Sequence, residues 1–108
     1  MADRAIYLLT QNYLKRLIAI GIPVEYGIIF GSHARGQATK WSDIDLLVVS
    51  PRFDGPRTRE DLNLLWRMAA REDSRIEPIP CGSLEWERSR ESALVEAGRR
   101  EGIKVATE

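Results

Sequence analysis

Gly31-Ser32 and Asp43-Ile44-Asp45 stand ten residues apart, from His33 to Ser42, and each adjoins an apolar run able to form a strand. At Gly31 the missing side chain lets backbone N–H groups approach a phosphate closely, and Ser32 adds a hydroxyl donor. A short helix opening at about Ser32 would add its positive N-terminal end. Arg35 could grip a phosphate bidentately, or equally form a structural ion pair with a nearby carboxylate. Residues two apart on a strand share a face, so Asp43 and Asp45 project together, roughly 6.6 Å apart along the strand. So placed they can share a Mg²⁺ pair, whose members stand about 3.5–4 Å apart in phosphoryl-transfer sites. Without a cation the two carboxylates repel and raise one another's pKa. The chemistry open to such a set is the transfer of part of a nucleoside triphosphate.

The surrounding pattern predicts the elements that must position these residues. Ile6, Leu9, Tyr13, Leu17 and Ile20 recur at helical steps over residues 4–20, with Asp3 as N-cap, Gly21 at the left-handed C′ position and Pro23 blocking any continuation. A first strand runs from Val24 to Phe30, and a second from Ile44 to Ser50, whose unbroken apolar run suits a strand covered on both faces. Pro51 to Pro56 is a loop. Thr58 caps a second helix to about residue 72, with Asp61 in a box-like position and Leu62, Leu65, Trp66 and Ala69 as its buried stripe. Residues 75–80 form a short strand that Pro78 and Pro80, lacking N–H donors, confine to an edge. Ser83 opens a helical stretch reaching about Arg100 and broken near Ser89–Ser92; Gly102 ends it, and Ile103 to Val105 form a last strand.

Topology supplies a third carboxylate. Strand, helix 58–72 and strand 75–80 make a βαβ unit, and such crossovers are right-handed with parallel strands. Glu77 lies near the start of its strand, as Asp43 and Asp45 do, so the three meet at one sheet edge if the strands are neighbours. Gly31-Ser32 reaches that edge if the first strand is antiparallel to the second. The plainer account makes Glu77 a solvated edge residue and the aspartates a cap and a strand end. His33 sits at a variable position of the loop and is expected to be exposed, as is Lys40. Cys81 is expected to be an inert small residue, Trp66 a core residue, and Trp41 and Trp86 partly exposed contact residues. The fold class expected is α/β, a small mixed β-sheet with helices packed mainly on one face and the site on its open edge.

At 108 residues the chain suits a single domain, residues 1–108. Its 44% hydrophobic and 30% charged content is that of a soluble globule. Sixteen basic and sixteen acidic residues cancel, which disfavours a duplex-binding role, because phosphate neutralisation supplies most of that affinity. No apolar run approaches the ~18 residues of a membrane span, and the first residues lack the form of a signal peptide. One cysteine excludes an internal disulfide and a multi-cysteine zinc site. These features favour the cytoplasm.

Gly31-Ser32-His33-Ala34-Arg35-Gly36 followed by Ser42-Asp43-Ile44-Asp45-Leu46 resembles the minimal nucleotidyltransferases of the DNA polymerase β-like superfamily. The resemblance extends over roughly residues 3–80. It implies that Asp43 and Asp45 are catalytic metal ligands for Mg²⁺, as a pair of ions, and that Gly31 and Ser32 contact the phosphates of the substrate ATP, with Arg35 joining them. The third carboxylate of such enzymes is usually aspartate; Glu77 is one methylene longer, which weakens the role or sets the strand farther back. Chains of this size resemble the antitoxin half of toxin–antitoxin pairs whose partner is a helical HEPN-type toxin, and the implied chemistry is AMP transfer from ATP to a tyrosine hydroxyl of that partner. Longer relatives carry an acceptor-binding domain, so here the acceptor is expected on another protein; a homo-oligomer is compatible with this. The alternative from another class is a binding module that neutralises a partner by association alone.

Overall fold

The computed structural model describes residues 3–89 and 92–108. Met1, Ala2, Arg90 and Glu91 lie outside them, and with them the N-terminal expectation and the centre of the predicted helix break. Four strands form one mixed sheet in the order β3-β2-β1-β4: β1 Tyr26–Phe30, β2 Ile44–Ser50, β3 Ile76–Gly82 and β4 Ile103–Ala106. β1 runs antiparallel to both β2 and β4, while β2 and β3 are parallel, as the βαβ reading requires. β3, with its two prolines, is an edge strand.

Two long helices cover one face of the sheet. α1, Arg4–Ala19, is capped by the Asp3 carboxylate, which accepts from the Ala5 N–H. It ends before Gly21, whose φ of 102° needs the left-handed freedom of glycine. Tyr13, Leu14 and Leu17 of α1 pack with Leu65, Met68 and Ala69 of α2, Arg59–Glu72, against Ile29, Leu46 and Val48 of the sheet. Ile20, expected in the α1 stripe, is exposed, and Thr10 is buried instead, its hydroxyl donating to the Ile6 and Tyr7 carbonyls.

In α2 the buried stripe is offset from the predicted one. Thr58 accepts from the Asp61 N–H as foreseen, but the Asp61 side chain turns inward to a bidentate pair with Arg52, at 2.7 and 3.3 Å. Arg52 belongs to a 3-10 turn, Pro51–Asp54, within the predicted loop. That pairing lets a carboxylate only 6% exposed sit at the helix base, and it sets the helix phase so that Asp61, Leu65 and Met68 face inward. Leu62 and Trp66 consequently turn outward, Trp66 to 49% exposure, correcting its assignment to the core.

The second sheet face carries Ile28, Phe30, Leu47 and Val49 beneath two short helices, α3 Ser83–Arg88 and α4 Ala93–Glu101. Asp54 caps α3 by accepting from the Leu84 N–H. Gly98 brings α4 close to the sheet: a Cβ there would lie 3.0 Å from Leu47 Cδ1. Trp86 is half-buried, edge-on to Tyr26 at 6.5 Å, with the Arg99 guanidinium over its ring. Trp41, in contrast, is 79% exposed. Among the described residues no helix is long and apolar enough to cross a membrane.

Cys81 is buried on this second face, and burial pushes its thiol up to about 12. The thiolate is the nucleophile, so iodoacetamide at pH 8 is expected to leave folded Cys81 unmodified while labelling it fully in denaturant. Mass spectrometry of both samples checks this, and rapid labelling of the folded protein would contradict the packing around β3.

Candidate active site

β1 delivers Gly31 to the sheet edge at which β2 and β3 begin. The register sets Phe30 opposite Asp45, and Asp45 opposite Glu77, in one row across three strands. Ile44, Leu46 and Val48 belong to the first core, so Asp45 alternates onto the second face with Leu47 and Val49. Asp43 precedes the strand and is exposed, whereas Asp45 and Glu77 are half-buried. The three predicted carboxylates therefore meet at one edge, beyond the part of this face that α3 and α4 cover.

Their electrostatics are those of crowded acids. Burial raises the Glu77 carboxyl above its ordinary value, and the charges of Asp43 and Asp45, together with hydrogen bonds to both, raise it further. Asp45 is likewise raised, first by burial and then by the charge of Asp43, against a hydrogen bond from Glu77 and the positive charges of His33 and Arg35. Burial and acidic neighbours thus raise both carboxyls, and Glu77 and Asp45 share a hydrogen bond. Among the described residues no three His, Cys, Asp or Glu side chains are already closed into a metal-holding group. The trio nonetheless fits a divalent cation by its chemistry, offering hard oxygen donors whose mutual repulsion a cation relieves as a proton does.

Gly31 has a φ of 74°, and a Cβ at this position would lie 2.5 Å from Asp45 Oδ2. Both the backbone angle and the carboxylate beside it demand glycine, so the turn and the acid site form one unit. Gly31–His33 is a single 3-10 turn, closed by Ala34 and Arg35 N–H groups donating to the Gly31 carbonyl. The short helix expected at about Ser32 is this single 3-10 turn, which has too few aligned peptides to form a helix dipole, so main-chain phosphate contact must come from individual amides, beside the Ser32 hydroxyl. Arg35 leaves the carboxylates for Glu101 at the end of α4, 3.0 Å away, and its Nε donates to Gln37. Such an exposed pair contributes little, ~0–1 kcal/mol, so a phosphate could compete for the guanidinium.

His33 is buried at 7% exposure, contrary to the expected exposed loop residue. The loop after it folds back through Thr39 and Ser42, and that return covers the ring; nothing in residue type signals it. Glu101 was also invisible as part of this region, because only the packing of α4 on Leu47 brings it to Arg35. A cavity of about 430 Å³ beside the loop is lined by Ile6, His33, Thr39, Lys40 and Arg75 among others, and by none of the six predicted site residues. The carboxylate edge itself is open to solvent.

A glycine turn thus lies against a trio of acids at the edge of a small mixed sheet, an arrangement whose chemistry suits phosphate and a divalent cation. The chain belongs to the nucleotidyltransferase domain family, whose model matches residues 13–99. Its fold is similar to that of a candidate nucleotidyltransferase from Sulfolobus solfataricus, with a TM-score of 0.60 and 21% identity over 91% of this chain and 77% of that one. It is similar to the same degree, TM-score 0.60, to a chain of a toxin–antitoxin structure with AMP-PNP, at 19% identity over 91% of this chain and 73% of the other. Compared with curated protein sequences, the chain matches none.

Proposed function

We propose that this chain, as a single cytoplasmic domain, transfers AMP from ATP to a hydroxyl of a partner protein, with Mg²⁺ held by Asp43, Asp45 and Glu77. The observation that carries the reading is the contact between the left-handed Gly31 turn and the Asp45 carboxylate, in register with Glu77. Gly31 and Ser32 bind the triphosphate, and Arg35 joins them on exchanging Glu101 for phosphate. Bound Mg²⁺, as a pair of ions, would neutralise charge on the triphosphate and on the leaving pyrophosphate. The acceptor oxygen bonds to the α-phosphorus, the bond to the β-phosphate bridge breaks, and Glu77 receives the hydroxyl proton. The toxin–antitoxin neighbour with AMP-PNP supports a nucleotide substrate and a protein partner; the likeness of chains of this size to the antitoxins of HEPN-type pairs supports a helical HEPN-type toxin as that partner.

ATP with Mg²⁺ is therefore expected to stabilise the protein. At 100 times Kd the gain is about 2.7 kcal/mol, read from thermal or urea unfolding. ATP with EDTA should give far less. Absence of any Mg²⁺-dependent gain at millimolar ATP would favour the alternative, a module that silences its partner by covering it. The occupied Arg35 and the glutamate at the third position are the features consistent with that alternative.

A further inference from the structure

His33 closes the phosphate turn, and its Nε2 lies 3.4 Å from the Ser42 carbonyl oxygen, at the far end of the loop. A carbonyl only accepts, so Nε2 carries the hydrogen in this contact. Ser42 is the node of the loop. Its N–H donates to the Thr39 carbonyl at 3.1 Å, its hydroxyl accepts from the Thr39 N–H at 2.9 Å, and its own carbonyl meets the buried imidazole. Asp43 comes next. On its other side Ile44 is anchored to the sheet by its N–H bond to the Arg75 carbonyl at 2.7 Å. Asp43 is thus an exposed carboxylate between two fixed points, one a sheet hydrogen bond and the other the contact between His33 and Ser42.

We propose that His33 is a positioning residue for Asp43: its buried Nε2–H pins the Ser42 carbonyl and so fixes the main chain that presents the Asp43 carboxylate to a divalent cation beside Asp45. This deepens the nucleotidyl-transfer reading and rests on it for the cation. The bond is long, and its influence comes from place rather than strength. The ring belongs to the last residue of the phosphate turn, and its acceptor is the carbonyl of the peptide unit that joins Ser42 to Asp43. A side chain that orients a metal-binding group in this way typically changes metal affinity about 10–100-fold when removed.

The test pairs two substitutions with two readouts. His33→Leu fills much of the same space without a donor, whereas His33→Gln carries an amide N–H to about the position of Nε2. Mn²⁺ binding in the presence of ATP, followed by electron paramagnetic resonance, is expected to weaken about 10-fold or more in the leucine variant and to return nearly to the wild-type value in the glutamine variant. Hydrogen exchange of the Thr39 and Ser42 amides in the protein alone should follow the same order, fastest in the leucine variant. If the leucine variant fails to fold, His33→Asn, whose donor falls short of Ser42, takes its place. Wild-type binding and exchange in the donorless variant would overturn the proposal, as would a glutamine variant no better than the leucine one. Failure of the wild-type protein to bind Mn²⁺ with ATP would instead sink the transfer reading, and exchange at Ser42 would still decide whether His33 clamps the loop.

Discussion

Asp45→Asn is expected to lower nucleotidyl transfer by at least roughly 1,000-fold, about 4 kcal/mol of transition-state stabilisation, while leaving the fold intact or more stable. The two effects have one cause. Asp45 lies opposite Glu77 and two residues from Asp43, half-buried, with its carboxyl held above its ordinary value by burial first and the charge of Asp43 second. An acid raised in the folded state favours folding less once ionised, so stability declines as pH rises from the unfolded value through the raised one. Asparagine keeps the shape and an acceptor for Glu77 but removes that charge. Urea unfolding at neutral pH should therefore give a midpoint equal to or above that of the wild type, and the stabilisation by ATP with Mg²⁺ should disappear. A variant that lost activity because it unfolded would show the opposite sign.

Gly31→Ala should damage both stability and activity, and Gly36→Ala separates the two. Each glycine has a positive φ, 74° and 71°, so each alanine incurs the left-handed strain of roughly 1–2 kcal/mol. At residue 36 a Cβ meets nothing within 4 Å, whereas at residue 31 it meets Asp45 Oδ2 at 2.5 Å. The carboxylate is the movable partner and must swing away. Misplacement of a reacting or ligand group by about 1 Å can cost about 100-fold in rate, and that loss is expected of Gly31→Ala alone. Comparable unfolding midpoints with comparable transfer rates in the two variants would show that the contact between the turn and Asp45 is incidental.

The sheet and its acid edge were legible because their determinants are local or topological. The β-branched run to Phe30, the apolar run after Asp43, and the prolines of β3 each name a strand, and the right-handed crossover orders them so that Asp45 faces Glu77. The caps at Asp3 and Thr58 and the stop at Gly21 follow from single residue types. What escaped is set by pairs distant in sequence. Asp61 reads as part of a capping box, yet its carboxylate turns to Arg52, and that choice rotates α2 enough to expose Trp66. His33 reads as a loop residue because only the return of the loop through Thr39 and Ser42 buries it. Arg35 was open between phosphate and carboxylate, and the carboxylate it finds, Glu101, reaches it only because Gly98 lets α4 lie close on Leu47.

The most direct test follows the label in ATP. The purified protein is incubated with Mg²⁺ and its candidate acceptor protein, using ATP labelled at the α-phosphate in one sample and at the γ-phosphate in another, with Asp45→Asn alongside. Adenylyl transfer predicts label on the acceptor from α-labelled ATP alone, release of pyrophosphate, and no label with the asparagine variant. Label from the γ-position would mean phosphoryl rather than nucleotidyl transfer. No label from either, with an acceptor that the protein nevertheless binds and silences, would contradict the account and establish neutralisation by association.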